Sequence, residues 1–580
     1  MATNINQIDW QTPNKTEKEC WSNLLNSEFT NHEQYNYVNL PWANIIELVN
    51  DTDKTINDVL SKYNYDKSKY ISGRKTNVTT FQSYHIHKYV KQLKDLNINV
   101  IFSPHITKEQ SISIFTKHQV LILPVLLYPI ITPNYDMKPN IKMMTSMSSE
   151  YEELTNSILQ NETCYYVSFI GNINYNNNPH AEQCVNIRMK IVNYLNENKN
   201  ITNYCKTVNE WHFNQEIYGK QLSKIKTCQD KEYENILNEI NYDHIMRHSK
   251  YVLCPLGIGP NSIRFSETIM YNNVPILISD NMWYPREDIF NKCCIRICEN
   301  SDLNLKDLDE IDPKYILDAK QYLQDLSNPI KEFINNETYI LLTQLYFETN
   351  KIKRDEMSHC ILLNIENKLI EMIVIFFETI EIIDCKEIYK MYPQLKHPKV
   401  VIEIVQVKIP KSININRIIE YSNRFIGSKC IISNNDIYYD HTLALIKKGK
   451  LLQNNEIVCL TRTNVFEMKS STTGVWQKHN ASQDTWIYTS PIKSIKNDVY
   501  LGWLRSDNLF AGELYRLGYR LSNPTNYINA FHYQHDNVTN ASISKNHIQH
   551  QTGCMRVGFS DVHEISKCSL ISNSYPHSIH

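Results

Sequence analysis

The sequence predicts an α/β protein of more than one domain. Three observations carry this. The chain has 580 residues, more than one hydrophobic core usually organises, so about two to four domains are expected. Between Leu253 and Asp280 the string LCPLGIGPNSIRFSETIMYNNVPILISD reads as strand, glycine turn, helix and strand. A second apolar strand, in KCIISNNDIYYDHTLALI (429–446), runs straight into Asn434-Asn435-Asp436 and then a helix.

The other elements follow in order. Residues 1–35 are polar and irregular. YVNLPWANIIELV (37–49) and QVLILPVLLYPI (119–130) read as strands, and HKYVKQLKDLNINVIFSPHI (87–106) as a helix feeding a strand. From Asp312-Pro313 to Asn350 the pattern is helical almost throughout, in two helices broken near Pro329. The charged segment NKIKRDEMSH (350–359) reads as a linker, and an independent α/β pattern begins at CILLNIENK (360–368). The expected domains are therefore 1–155, 156–350 and 356–580.

Composition narrows the function classes. Hydrophobic residues make up 42% and charged residues 21%, and the formal net charge is −2. Neither nucleic acid nor an anionic membrane would be attracted in bulk. The 37 Tyr and many Asn, Ile and Lys point to an AT-rich genome, so Asn-rich patches carry little meaning. The N-terminus lacks the basic start and apolar core of a secretory signal. The apolar runs at 120–131 and 369–383 are too short or too charged to span a membrane. The 15 Cys form no zinc spacing and read as reduced thiols, so a cytoplasmic location is expected.

Only 13 glycines occur in the chain, yet Gly257 and Gly259 share one turn. Glycine supplies positive φ or lets backbone approach a ligand closely. Ser262 can cap the helix that follows, whose first-turn N–H groups favour an anion such as a diphosphate. Arg264 and Glu267 share a helix face. A guanidinium can fork onto phosphate oxygens, and a carboxylate can accept from ribose hydroxyls. An isolated Arg-x-x-Glu also fits a solvated ion pair.

YVLCPLGIGPNSIRFSETI followed by NNVPILISD resembles the donor-binding region of the exostosin family of glycosyltransferases. YYVSFIGNI (165–173) looks like that family's strand leading to a Phe-x-Gly turn, and Arg188 like its basic diphosphate-binding residue. The resemblance covers roughly residues 35–345. It implies a two-Rossmann (GT-B) fold, with residues 1–155 on the acceptor side and 156–350 holding the nucleotide sugar. It also implies inversion at the sugar carbon and no cofactor or metal, with Arg188, Gly257, Gly259, Ser262, Arg264 and Glu267 binding the donor.

Further along, Asn434/Asp436, Thr461-Arg462, Gln483-Asp484-x-Trp486, Gly502 to Asp507-Asn508, Asn523-Pro524 and His532 to His535 together resemble a GT-A-like glycosyltransferase domain of bacteria, plants and large viruses. A carboxylate at a strand end is where such enzymes hold a divalent cation on the donor diphosphate. Asn434 and Asp436 are then the metal candidates, for Mn²⁺ or Mg²⁺. Read alone, Asn-x-Asp before a turn is also an Asx turn. Asp484 and Asp507 are the catalytic candidates, since deprotonating an acceptor hydroxyl needs an acid–base group beside the sugar carbon; both could instead cap helices. The start of this domain looks eroded, as ILLNIENKLIEMIVIFFETI (361–380) carries no clear uracil-binding pattern.

The expectation is a bifunctional glycosyltransferase of a large DNA virus or an AT-rich protist. It would move sugars from UDP- or GDP-sugar donors to a glycan or glycoprotein acceptor, in the host cytoplasm if viral. The alternative is a glycan-binding or structural protein with one or both transferase folds degenerate.

Overall fold

The computed structural model describes residues 16–25, 35–52, 55–62, 76–129, 163–173, 182–208, 241–257, 259–336, 338–409, 412–448, 451–452, 455–465, 474–476, 483–533, 555–557, 560 and 568–570. They divide into two compact units, one of residues 1–73, 77–114 and 122–332, the other of 74–76, 115–121 and 333–580. Among the described residues no helix is long and apolar enough to cross a membrane.

The first unit is built on two sheets. One has the order β1 (Tyr35–Tyr37), β2 (Thr76–Thr80), β3 (Val100–Ser103), β4 (Leu121–Pro124). Helices α1 (Thr16–Leu25), α2 (Trp42–Thr52), α3 (Ile56–Lys62), α4 (Ile86–Asp95) and α5 (Lys108–His118) belong to the same stretch of chain. Two expectations are corrected here. Residues 16–25 are helical, and Glu17 fastens that helix by accepting the Gln82 and Ala43 N–H groups at 2.9 and 3.3 Å. The run at 37–49 is mainly helix α2. Trp42, Ile45 and Ile46 are all buried, at the i, i+3, i+4 spacing of a helix face that a short apolar run does not distinguish from a strand.

The other sheet has the order β6 (Asn203–Val208), β5 (Tyr165–Asn172), β7 (Ser249–Pro255), β8 (Val274–Ile278), β9 (Ile295–Arg296), with every pair parallel. Parallel strands covered on both faces read as continuous apolar runs, and all five residues of β8 are buried. Helix α6 (Glu182–Glu197) follows β5, and α7 (Ile263–Met270) joins β7 to β8. The strand order reverses between β5 and β7. Open α/β sheets bind ligands in the crevice beyond the strand ends at such a reversal.

Helices α8 (Pro313–Leu323) and α9 (Asn328–Asn335) follow, as the break near Pro329 suggests. The expected helical pattern then fails. Residues Tyr339–Tyr346 are strand β10, with all eight buried; burial on both faces removes the alternation that would have marked a strand. The expected linker at 350–359 is the first part of helix α10 (Lys351–Glu366). The second unit therefore begins at about residue 333. The segment at 361–380 that looked like an eroded start is the end of α10 and strand β11 (Ile370–Thr379).

The second unit carries a seven-stranded sheet of order β12 (Val400–Gln406), β11 (Ile370–Thr379), β10, β13 (Lys429–Ser433), β18 (Thr485–Thr489), β15 (Glu456–Leu460), β19 (Arg520–Ser522). Only β18 runs against its neighbours, β13 and β15. A smaller sheet has the order β14 (Ile437–Tyr439), β20 (Ala530–Tyr533), β16 (Thr463–Val465), β17 (Gly474–Trp476), and β21 (Met555–Val557) pairs antiparallel with β22 (Cys568–Leu570). Val557 is fully buried in the core cluster that includes Ile340, Trp486 and Phe510. Asn523 ties that late segment down. Its N–H donates to the Ser560 hydroxyl at 3.1 Å, and its amide to the Val557 carbonyl at 3.2 Å.

Candidate functional site

In the first unit the expected donor-binding residues gather at the β5/β7 reversal. Arg188 projects from α6 and donates to the Asn172 carbonyl at 2.8 Å and the Leu256 carbonyl at 3.3 Å. Arg264 projects from α7 and donates to the Ile170 carbonyl at 3.1 Å. Both guanidiniums thus lie on the carboxyl end of β5, with a third contact to the turn after β7. Burial lowers the Arg264 pKa, and the Arg188 charge lowers it further, while Glu267 opposes this. Two cations held this close are costly without an anion.

Glu267 is buried and spends one oxygen on Arg264 at 3.1 Å and on the Tyr242 hydroxyl at 2.8 Å. The Arg264 guanidinium also lies over the Tyr242 ring, 4.4 Å from its centre. The pair is therefore a buried, stacked cluster and not a solvated i,i+3 bridge. In this arrangement Glu267 orients Arg264, a role that the residue spacing alone does not reveal.

The glycine turn works by close approach and not by positive φ, which neither Gly257 nor Gly259 adopts. A methyl group on Gly257 would come within 3.1 Å of the Asn261 carbonyl, and one on Gly259 within 2.5 Å of His105 Nδ1. Ser262 stands at the helix N-cap with extended backbone, but its side chain makes no capping bond; the capping expectation is corrected. Asn261 beside it is 2% exposed, with both side-chain polar atoms buried and unpartnered. Tyr242, Asn261 and His105 were not singled out from sequence: Asn261 lies inside the GIGPNSIRF string without a spacing of its own, and Tyr242 and His105 lie in no spaced motif.

In the second unit, strand register brings the expected residues to one edge. Ser433 pairs with Thr485, and Thr485 with Leu460. Asn434, Asp484 and Arg462, each one or two residues beyond these positions, therefore meet. The Asp484 Oδ1 accepts from Arg462 at 3.2 Å and from Asn434 Nδ2 at 3.3 Å. Asp507, in the first turn of α11 (Ser506–Arg516), accepts the Gln483 N–H at 3.1 Å. Gly502, at φ +80°, leaves room beside Gln344 and Asn434, where a methyl group would come within 2.7 Å of the Gln344 carboxamide.

The electrostatics of this edge are divided. Burial pushes the Asp507 carboxyl up to about 7, and the charge of Asp484 adds to the rise. Burial also pushes Asp436 upward, but the His532 charge and hydrogen bond, with Arg462, carry it down to about 2. His532 meets Asp436 at 3.0 Å through Nε2 and Asn464 at 3.1 Å through Nδ1. The Asp484 charge raises the Arg462 pKa. His535 lies outside the described residues. Among the described residues no three His, Cys, Asp or Glu side chains gather as metal ligands. Asn434 Oδ1, Asp436 Oδ1 and Asp484 Oδ2 are nevertheless buried and unpartnered, and hard cations prefer oxygen ligands of this kind.

Residues 131–309 match the family model of the Exostosin GT47 domain. Over 59 residues the chain is 39% identical to a probable glycosyltransferase of Arabidopsis thaliana, a match covering 10% of this chain and 13% of that protein. A crystal structure of 4-diphosphocytidyl-2C-methyl-D-erythritol synthase aligns over 36% of this chain and 93% of that one, at 10% identity and a TM-score of 0.20, too slight a likeness to bear on the fold. The arginine cluster and the glycine turn both fall within the segment similar to the Exostosin GT47 domain.

Proposed function

We propose that the chain is a bifunctional glycosyltransferase drawing on nucleoside-diphosphate sugars at two sites. The observation that carries the reading is the convergence of Arg188 and Arg264 on the end of β5, beside the glycine turn and the α7 N-terminus. A diphosphate placed there meets two guanidiniums and free helix-end N–H groups. Preorganised charge of this kind stabilises the leaving group as its bond to the sugar breaks. The first site is proposed to invert and to work without a metal, since arginine supplies the charge that a cation otherwise would.

At the second site the β10/β13 reversal is the proposed donor crevice, and the sheet order supports a GT-A-like reading. Asp507, titrating near neutrality, is suited to take the proton of an acceptor hydroxyl. Asp484, held by Arg462 and Asn434, is suited to position that acceptor. Asn434 and Asp436 would hold a divalent cation, whose chemistry is to neutralise the donor diphosphate. A second reading, in which this unit binds glycans without turnover, is favoured by one feature: Asp436 is already engaged by His532.

The test is thermal stabilisation of the full chain by a panel of UDP- and GDP-sugars, followed by nucleoside-diphosphate release from those that bind. A donor that raises the melting temperature and releases its nucleotide in excess chelator supports the first site. Absence of any stabilisation across the panel would sink the reading.

A further inference from the structure

In the first unit, a residue of the β1–β4 half reaches the glycine turn of the other half. His105 follows β3, its N–H donating to the Ser103 hydroxyl at 3.3 Å. Its ring lies so close to the turn that a methyl group on Gly259 would stand 2.5 Å from Nδ1, 3.2 Å from Cγ and 3.4 Å from Cβ. Any residue but glycine at position 259 would displace the imidazole. The close approach therefore gives Gly259 a reason that its backbone angles do not.

Two further observations point to a ligand beside this contact. His105 Nδ1 is buried and has no hydrogen-bond partner. Two residues beyond Gly259, the Asn261 carboxamide is buried with neither of its polar atoms satisfied. A buried polar group without a partner is costly, so two in succession mark a place where another molecule completes the set. Burial also holds the His105 pKa down, at about 4, so at neutral pH the ring is uncharged and one nitrogen carries a free lone pair. Arg188 and Arg264 cannot accept a proton, and Glu267 is committed to Arg264 and Tyr242.

We propose that His105 is the proton acceptor of the first site, taking the hydrogen of the attacking hydroxyl as it reaches the donor sugar beside Gly259. This rests on the glycosyltransferase reading of the same site. In the step, the hydroxyl oxygen forms a bond to the anomeric carbon and its proton passes to the imidazole nitrogen. The bond from the anomeric carbon to the diphosphate oxygen breaks, its electron pair leaving with the diphosphate toward Arg188 and Arg264. The imidazolium then returns its proton to water. A bound diphosphate brings negative charge near the ring, so the His105 pKa should rise in the donor complex, toward the range in which a general base is most effective.

The experiment uses the full chain carrying Asp484→Asn and Asp507→Asn, which silence the second site. UDP and GDP binding is measured, with hydrolysis of the UDP- or GDP-hexose that stabilises the chain most. His105→Gln should bind the nucleotide within about threefold of the parent. Hydrolysis should fall about 10²- to 10⁴-fold, the usual span for removing a general base. The parent rate should decline toward acid pH with unit slope, and the residual rate of His105→Gln should lack that decline. His105→Asn should behave alike. A parent rate independent of pH between 4 and 8 overturns the proposal without recourse to any variant. A loss of rate under threefold, or nucleotide affinity falling by the same factor as the rate, overturns it too. A parent that neither binds nor hydrolyses any donor removes the transferase reading itself, a different result from a parent that hydrolyses donors and ignores the substitution.

Discussion

The arginine cluster at the end of β5 and the carboxylate edge between β13, β15 and β18 use the same backbone device and opposite charge. Each lies at a reversal of strand order in a mainly parallel sheet. Each has a glycine where a side chain would collide, Gly259 in one and Gly502 in the other. Yet the first gathers two guanidiniums around one buried carboxylate, and the second gathers Asp436, Asp484 and Asp507 around one guanidinium. A fold of this kind fixes where a ligand goes. Whether the protein or a bound cation must neutralise it is decided by a few side chains.

The sharpest way to break the comparison is Asp507→Asn. If the carboxylate edge is catalytic, transfer that depends on a divalent cation should drop about 10²- to 10⁴-fold, while nucleotide release in chelator stays at the parent level. A drop smaller than tenfold would assign Asp507 a structural part only.

Arg264→Ala comes next. Losing a charge-assisted phosphate contact of about 1.5–3 kcal/mol should weaken donor binding at the first site roughly tenfold to a hundredfold. Glu267→Gln should do less, because an amide oxygen can still receive the Tyr242 hydroxyl while Arg264 loses only its ion pair. Equal donor affinity for the parent and Arg264→Ala, read by calorimetry, would contradict the assignment.

Asp436→Ala tests the cation directly. Mn²⁺ should bind the parent poorly alone and better with nucleotide sugar present, since one carboxylate and one amide oxygen leave most of the coordination shell to phosphate and water. The variant should lose the nucleotide-dependent part, followed by the paramagnetic signal of free Mn²⁺. An unaltered titration would favour the binding-module reading.

The smallest effect is on stability. Asp507 titrates at about 7 when folded, against about 3.9 for a free aspartate. Its folded state therefore holds the proton more tightly, and that contribution is complete below about pH 4 and lost as pH rises through 7. Asparagine carries no such charge. The Asp507→Asn variant should match the parent near pH 4 and melt higher near pH 8, at roughly 2–4 °C per kcal/mol for a unit of this size.

Much of this was legible in the sequence, and the failures have physical causes. Asn434, Asp436, Asp484 and Asp507 were visible as strand-end or loop carboxylates and amides, and the structure brings them together. Their partners Arg462 and His532 sat inside the same motifs, but their bonds depend on register between β13, β18 and β15, which no local pattern contains. Strand β10 was read as helix because it is buried on both faces and so does not alternate. Reading α10 as a linker followed from charges such as the exposed Lys351 and Lys353. His105 gave no signal at all, since its meaning comes from Gly259, more than 150 residues away in the chain.

The hold of Asn523 on Val557 and Ser560 has a bearing on biosynthesis. The core that starts with Ile340 on β10 is closed by Val557, so a nascent chain must deliver more than two hundred residues of the second unit before its apolar interior is shut. Until then Trp486, Phe510 and Leu521 share a surface without its last lid. The chain gathers this core from distant segments, in a topology that folds slowly and is open to aggregation meanwhile. A ribosome that stalls between residues 534 and 556 would leave a polypeptide already carrying Asp436, Asp484 and Asp507, and still without a closed interior to hold them.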